Sequence, residues 1–306
     1  MLGNGIGIPF QRKVGGGFVG LLDEYSGAAF AASVRLLRGG YSGGLLRARA
    51  NDGSTDQGEA DVLPYDDGSS ERFVSLDSRL INLDATAVTR GLTTSDTLGD
   101  LLDVGSGNYD GFVPTIFDQS IGGNNLVQTL ATRQGIIATG GVLEVENGKP
   151  IIRRSADANG GYLASGLDFI SDTNQYGFHY VGKRPASGNF DIFGSESGGS
   201  DYGYFADNGD SSTLVNNLVV ASNELINGST WNYSTRGDVY DDLVAQSLIS
   251  AQIQFNFIDP GYTIGYRFDN PFNFGMTDFE ENVIFDDNSQ AAGVNTNINN
   301  AFSIYP

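Results

Sequence analysis

Residues Phe117 to Val127 read FDQSIGGNNLV, an apolar residue running into Asp-Gln-Ser, then Gly-Gly-Asn-Asn and a return to apolar side chains. Asp118 can accept backbone N–H bonds across the turn that follows, Gly122 and Gly123 tolerate left-handed conformations, and Asn124 and Asn125 suit the closing of such a turn. The stretch therefore reads as a corner between strands. The rival reading, Asp118 as a reacting group, finds no step in these residues that requires catalysis.

Working outward, the chain from Phe112 onward consists of short apolar runs separated by turn residues: FVPTIF, NNLVQT, GIIATGGVLEV, KPIIRRS, FHYVGKR, FDIFG, YGYF, TLVNNLVV, QIQFNFI, YTIGYRF and NVIF. A spacing of about ten residues is what a β-sandwich or barrel produces. Asn147-Gly148 between apolar runs is a strong hairpin signal, and Asp259-Pro260-Gly261-Tyr262 fits a tight turn. Gly (43) far exceeds Pro (8) among 306 residues, which suits many strands joined by turns with positive φ. The fold class expected is mainly β, a sandwich or closed barrel with a few short helices.

Helices are expected first in the chain. Leu21 to Arg38, LLDEYSGAAFAASVRLLR, predicts one, with Ser26 as a cap, four alanines, Phe30, Val34 and Leu37 at helical spacing, and Arg35 and Arg38 in the last turn before Gly39-Gly40. Leu46 and Ala48 alternating with Arg47 and Arg49 predict a strand with one wet face. Asn51 to Ser70 reads as a polar excursion and Ser95 to Val104 as a short helix. Met1 to Gly20 mixes glycine with Ile6, Ile8, Phe10 and Phe18 and reads as an arm that docks on protein rather than leaving those side chains in water.

The formal charge of −20 argues against a nucleic-acid ligand, which needs a positive face. Acidity is uneven: up to Ala50, Arg12, Lys13, Arg35, Arg38, Arg47 and Arg49 outnumber Asp23 and Glu24. That asymmetry suits a basic end seated on a partner, or simply scattered surface arginines. There is no cysteine, so no disulfide or thiolate site exists. No apolar run approaches membrane thickness and no signal peptide is recognisable, which predicts a soluble chain.

FDQSIGGNNLVQT resembles the (W/I)-Y-D-Q-S-G-N-G-N-x-x-x-Q segment of the arabinofuranosidase B family, whose catalytic domain is a concanavalin-like jelly roll. AASVRLLRGGYSGGLLRARANDGSTDQG resembles that family's helix, Y-S-G turn and R-(V/L)-x-R strand, and GGVLEVENGKPIIRRS its Asn-Gly-Lys-Pro stretch. The end of the chain, FGMTDFEENVIFDDNSQAAGVNTNINNAFSIYP, resembles bacteriophage proteins carrying a laminin-G-like or concanavalin-like module, and GIGIPFQR a phage virion protein's N-terminal segment. Leu21 to Ser155 carries most of the likeness. It departs from the family where the nucleophilic Glu should precede an Asn-Asn-Leu run: Val215 stands before Asn216-Asn217-Leu218, and the family's cysteines are missing.

The resemblance narrows the fold to a jelly-roll sandwich. What it implies is a non-enzymatic phage virion protein, of head or tail: an arm, residues 1–20, and a sandwich, 21–306, displayed on the particle surface. Docking falls to Ile6, Ile8, Phe10, Arg12, Lys13, Phe18, Arg35 and Arg38, against other virion proteins, with a homo-oligomer and host or environmental glycans as further partners. Tyr202, Tyr204, Trp231, Tyr233 and Asn232 have sugar-binding chemistry, though aromatics on strands also serve as core. The alternative is an active arabinofuranosidase-like glycoside hydrolase. Its candidate acids are Asp278 and Glu280, which a strand places on one face. Calcium is the one cofactor considered, at Asp52, Asp56, Glu59 and Asp61 or at Asp207, Asn208 and Asp210, where surface turns explain the acids more simply. His179, among apolar residues, reads as a core histidine rather than a base.

Overall fold

The computed structural model describes residues 18–154, 161–164, 174–185, 189–197, 200–206, 211, 220–254, 263–264 and 274–306. In chain order the first strands are β1 (Ala28–Ser33), β2 (Leu46–Asn51), β3 (Asp56–Val62), β4 (Leu80–Ile81), β5 (Asp110–Ile116), β6 (Leu126–Val127) and β7 (Gly135–Thr139). Then follow β8 (Val142–Leu143), β9 (Val145–Glu146), β10 (Lys149–Pro150), β11 (Tyr162–Ala164), β12 (Gln175–Lys183), β13 (Asn189–Ser197) and β14 (Ser200–Ala206). The last are β15 (Val220–Ile226), β16 (Ser229–Thr230), β17 (Ser247–Gln254), β18 (Thr263–Ile264), β19 (Phe274–Met276) and β20 (Asp278–Phe285). Helices are short: α1 (Leu21–Glu24), α2 (Ala85–Thr89), α3 (Leu98–Leu101) and α4 (Arg236–Asp242), then the longer α5 (Ala291–Phe302).

One sheet runs β1-β20-β12-β17-β15-β16, a second runs β14-β13-β18-β11-β6-β5-β2-β3-β4, with β7 on β5, β8 on β7 and β19 on β13, and β9 and β10 make a separate two-stranded sheet. Among the described residues the strands pair antiparallel except β13 with β19. The mainly β class and its sandwich architecture are as the turn spacing predicts, and so is the β9–β10 hairpin, with Asn147 and Gly148 both at positive φ. The short helix expected near residue 100 is α3, closed by a capping box between Thr97 and Asp100. The Asp259–Tyr262 turn lies outside the described residues.

The long helix expected over Leu21–Arg38 does not form. Four residues of it make α1, the chain breaks at Gly27 (φ +85), and AAFAAS becomes β1. Alanine favours a helix in isolation, but Phe30, Ala31 and Ala32 are fully buried and their backbone is paired along β20, so tertiary pairing overrides local propensity. Likewise the polar excursion after Asn51 contains a strand, β3, whose Glu59 and Asp61 take the two sides of Arg47 at 2.8 Å each. Arg49, expected on a wet face, is buried, stacks over Phe112 and pairs with Asp56. Alternation predicts which way a side chain leaves the strand, but not what covers it.

The FDQS stretch is a corner that joins the sheets. Asp118 Oδ1 accepts from Ala31 N and Ser120 N, both at 2.9 Å, and Oδ2 accepts from Ser120 Oγ and Asn124 N, both at 2.8 Å. Gln119 donates to Arg35 O and accepts from Leu37 N, at 2.8 Å each. Of the two glycines only Gly123 takes a positive φ, at 68°. Replacing Asp118 with Ala leaves three backbone N–H groups without their acceptor, so Asp118→Ala should lower stability by about 3 kcal/mol in urea unfolding. A change below ~0.5 kcal/mol would show that the corner does not hold the sheets together.

Candidate functional site

Two acids at the start of β20 meet the β9–β10 hairpin. β20 lies between β1 and β12, and its register against β12 slips where Val181 and Gly182 face Glu281 and Phe279, leaving Glu280 with no partner on β12. Such a bulge re-aims side chains and recurs beside functional sites. Alongside, the chain after β10 forms a bridge in which Ile152 and Phe279 exchange backbone hydrogen bonds of 2.8 and 2.9 Å, bringing Arg153 and Arg154 to Asp278.

Asp278 accepts from Arg153 Nη1 and from the Arg154 backbone N–H, both at 2.9 Å. Arg153 Nη2 also donates to Glu146 Oε2 at 3.1 Å, and Lys183 Nζ reaches Glu146 Oε1 at 3.0 Å. Glu280 is held differently. Gln246 Nε2 donates to its Oε2 at 2.5 Å, while Oε1 is buried with no hydrogen-bond partner. Glu280 is 0% exposed and Asp278 8%.

The electrostatics separate the three acids. Burial pushes the Glu280 carboxyl up to about 8, against the Gln246 hydrogen bond and with help from the negative charge of Glu146. At neutral pH Glu280 is therefore a neutral acid. Burial also raises Asp278, with the Arg154 N–H and Arg153 pulling it back. For Glu146 burial is outweighed by Lys183 and Arg153, and its carboxyl lies below the usual range. Acids pushed apart in this way by their surroundings are the raw material of general acid chemistry. The structure thus brings together the two acids the sequence proposes and adds Glu146, Arg153, Lys183, Gln246 and Asn147. Of these only Asn147 carries a sequence signal, its Asn-Gly turn. The rest converge through long-range pairing.

The other candidates fall elsewhere. Trp231 is 5% exposed, donates Nε1 to Asp242 at 2.6 Å and packs edge-on against Tyr233, so it is core rather than an open sugar platform. Tyr233 is half-buried and bonded to Glu224, and Asn232 is exposed and donates to Thr230 O. Tyr202 and Tyr204 are on β14, and only their backbone placement is described. His179 is buried, bonded through Nδ1 to Asn295 at 2.8 Å, and burial lowers it to about 4, as suits a neutral core histidine.

Ile6, Ile8, Phe10, Arg12 and Lys13 lie outside the described residues. Phe18 packs on the core beneath Arg72. Arg35 is fully buried, bidentate to Glu281 at 2.7 and 3.0 Å, with Glu71 and Asn297 completing its shell. Arg38 is half-buried. The expected basic docking face is corrected accordingly, because Arg35, Arg47 and Arg49 spend their charge on carboxylates within the chain. Asp52 closes its own turn through Ser54 and Thr55, and Asp56, Glu59 and Asp61 are paired with arginines. Among the described residues no three metal-ligating side chains converge. Asp207, Asn208, Asp210 and Val215 lie outside the described residues.

No family model matches this chain, and no curated protein matches it. Two solved structures are similar in fold. One is an arabinofuranosidase complexed with arabinofuranosyl-α-1,2-xylobiose, with a TM-score of 0.39 and 14% identity, covering 91% of this chain and 63% of that one. The other is a GH54 α-L-arabinofuranosidase soaked with a cyclic sulfate inhibitor, with a TM-score of 0.43, 15% identity and the same 91% and 63% coverage. This chain thus spans under two thirds of the length of these neighbours. The virion component expected from the sequence is corrected here: nothing in the fold or in these comparisons supports it, and both similar structures are named as arabinofuranosidases.

Glu280 generates a prediction of its own. Folded, it keeps its proton up to about pH 8, and unfolded only to its ordinary 4.5. Its contribution to stability is fully present below pH 4.5 and is lost as pH rises through about 8. Glu280→Gln cannot ionise, so it should match the parent near pH 4 and exceed it near pH 9 by roughly 3 kcal/mol in urea unfolding. A difference that does not change with pH would mean that the carboxyl ionises as readily in the fold as out of it.

Proposed function

We propose that this chain is a glycoside hydrolase whose acid group is Glu280 and whose charged partner is Asp278. The observation that carries the reading is the contrast on one strand: a buried carboxyl with a free oxygen and a proton at neutral pH, two residues from a carboxyl bonded to Arg153. Glycoside cleavage requires this division of labour, one acid to protonate the departing oxygen and one carboxylate to meet the positive charge at the anomeric carbon. Glu280 gives its proton to the leaving oxygen as the glycosidic bond breaks. The water that adds to the anomeric carbon releases one proton, so the pair ends the cycle with its proton count unchanged. Arg153 keeps Asp278 oriented. Glu280 is covered, so on this reading a sugar reaches it only when its cover moves, and the β9–β10 hairpin, linked to it through Asn147 and Gln246, is the element proposed to lift.

The test is release of 4-nitrophenol from aryl glycosides. The α-L-arabinofuranoside comes first, because that is what the solved neighbours are named for. The parent chain should turn over at least one member of the panel, with Asp278→Asn and Glu280→Gln each reducing kcat by roughly 100-fold or more while circular dichroism stays unchanged. A folded parent that releases nothing, or variants that keep full turnover, would overturn the reading.

A further inference from the structure

Gln246 stands between the hairpin and the acid. Asn147, at the hairpin turn with φ 49, donates its Nδ2 to Gln246 Oε1, and Gln246 Nε2 donates to Glu280 Oε2. A primary amide has one accepting end and one donating end, so the occupant of the first decides what the second presents. With Oε1 engaged by Asn147, Gln246 can offer Glu280 only a donor. That donor occupies a lone pair of Oε2 and leaves Oε1, the oxygen without a partner, as the place for a proton.

We infer that Asn147 and Gln246 form a two-amide relay that assigns the Glu280 proton to Oε1, making both of them positioning residues for the acid. The inference rests on the proposed function for its catalytic meaning, but the proton placement stands apart from turnover. The charged and titratable groups around Glu280 are Asp278 and Glu281 on its own strand, Glu146 from β9, Arg153 from the bridge to β20, and Tyr180 and Lys183 from β12. Each is engaged elsewhere: Asp278 with Arg153, Glu281 with Arg35, Glu146 with Lys183, and Tyr180 with Thr277. Gln246 is the side chain hydrogen-bonded to Glu280 among the described residues. A donor to Oε2 favours the ionised form, opposing the burial that favours the neutral one, so the relay sets how readily a loaded acid can release its proton. The hairpin turn thereby reaches the chemistry through a single amide.

The sign of one shift decides the matter. Gln246→Leu keeps the volume of the cover and removes the donor, and Asn147→Asp takes away the donor that holds Gln246 in its present orientation. Glu280 is followed by carboxyl 13C NMR or by its protonated C=O infrared band across pH, with Glu280→Gln to assign the signal. Both variants should raise the Glu280 pKa by about one unit. In a chain that turns over glycosides, the basic limb of kcat/KM should move with it. If Gln246 instead accepts the proton of Glu280, Gln246→Leu lowers the pKa, and that result, or no shift in either variant, overturns the relay. The spectroscopic titration needs no substrate, so a chain without glycosidase activity still reports on the relay, and failure of the proposed function is distinguishable from failure of this inference.

Discussion

Asp118 and Gln119 give the outer edge of β1 the hydrogen-bonding partners that an edge strand otherwise lacks. β20 satisfies one side of β1, while on the other Ala31 N donates to the Asp118 carboxylate and the Gln119 N–H donates back to Ala31 O at 2.6 Å. An unpaired strand edge is both unsatisfied and open to wrong partners, and the Asp118 carboxylate and the Gln119 backbone N–H close it at the start of the loop that leaves β5. Because β5 belongs to the second sheet, the same bonds clamp one sheet to the other. The bidentate Arg35–Glu281 pair then sits one turn of chain further on, with Asn297 bringing α5 against it. A buried ion pair of this kind tolerates no loss of a partner, so the placement of β20, and with it of Asp278 and Glu280, follows from the corner.

Much of this architecture is legible in the residues. Turn spacing after Phe112 predicts a sandwich, Asn147-Gly148 predicts a hairpin, and the corner itself is readable from Asp118 and Gly123, because these are local matters of φ and short-range hydrogen bonds. What misleads is the alanine-rich stretch at Ala28–Ser33, where helix propensity points one way and β20 pulls the other. No window of sequence around Phe30 contains the strand that captures it. The same holds for the arginines. Their pairing with Glu281, Asp61 and Asp56 depends on which strands become neighbours, so a cluster of basic residues in the chain turns out not to be a cluster on the surface.

The candidate site divides in the same way. Asp278 and Glu280 are visible because they lie two apart, but the bulge between β12 and β20 makes their surroundings unequal in a manner alternation alone does not foretell. Arg153, Lys183 and Glu146 arrive from three other segments and determine which acid is paired and which is left with an open oxygen. Trp231, prominent in the sequence as the lone tryptophan, instead spends its polar edge on Asp242 and its faces on the interior. The candidate residues are ordinary in appearance, and it is their environment that is unusual.

The pairing of β1 with β20 also bears on how the chain is made. Phe30 aligns with Ile284, so the sheet holding both acids cannot be completed until the ribosome has emitted the chain through β20. In the interval the Phe30 segment, alanine-rich and unclaimed, is free to wind into the helix it favours by itself. Closing so long a loop is entropically slow, and late-arriving strands leave their partners exposed to aggregation during synthesis. Until β20 emerges, β1 has to wait for it.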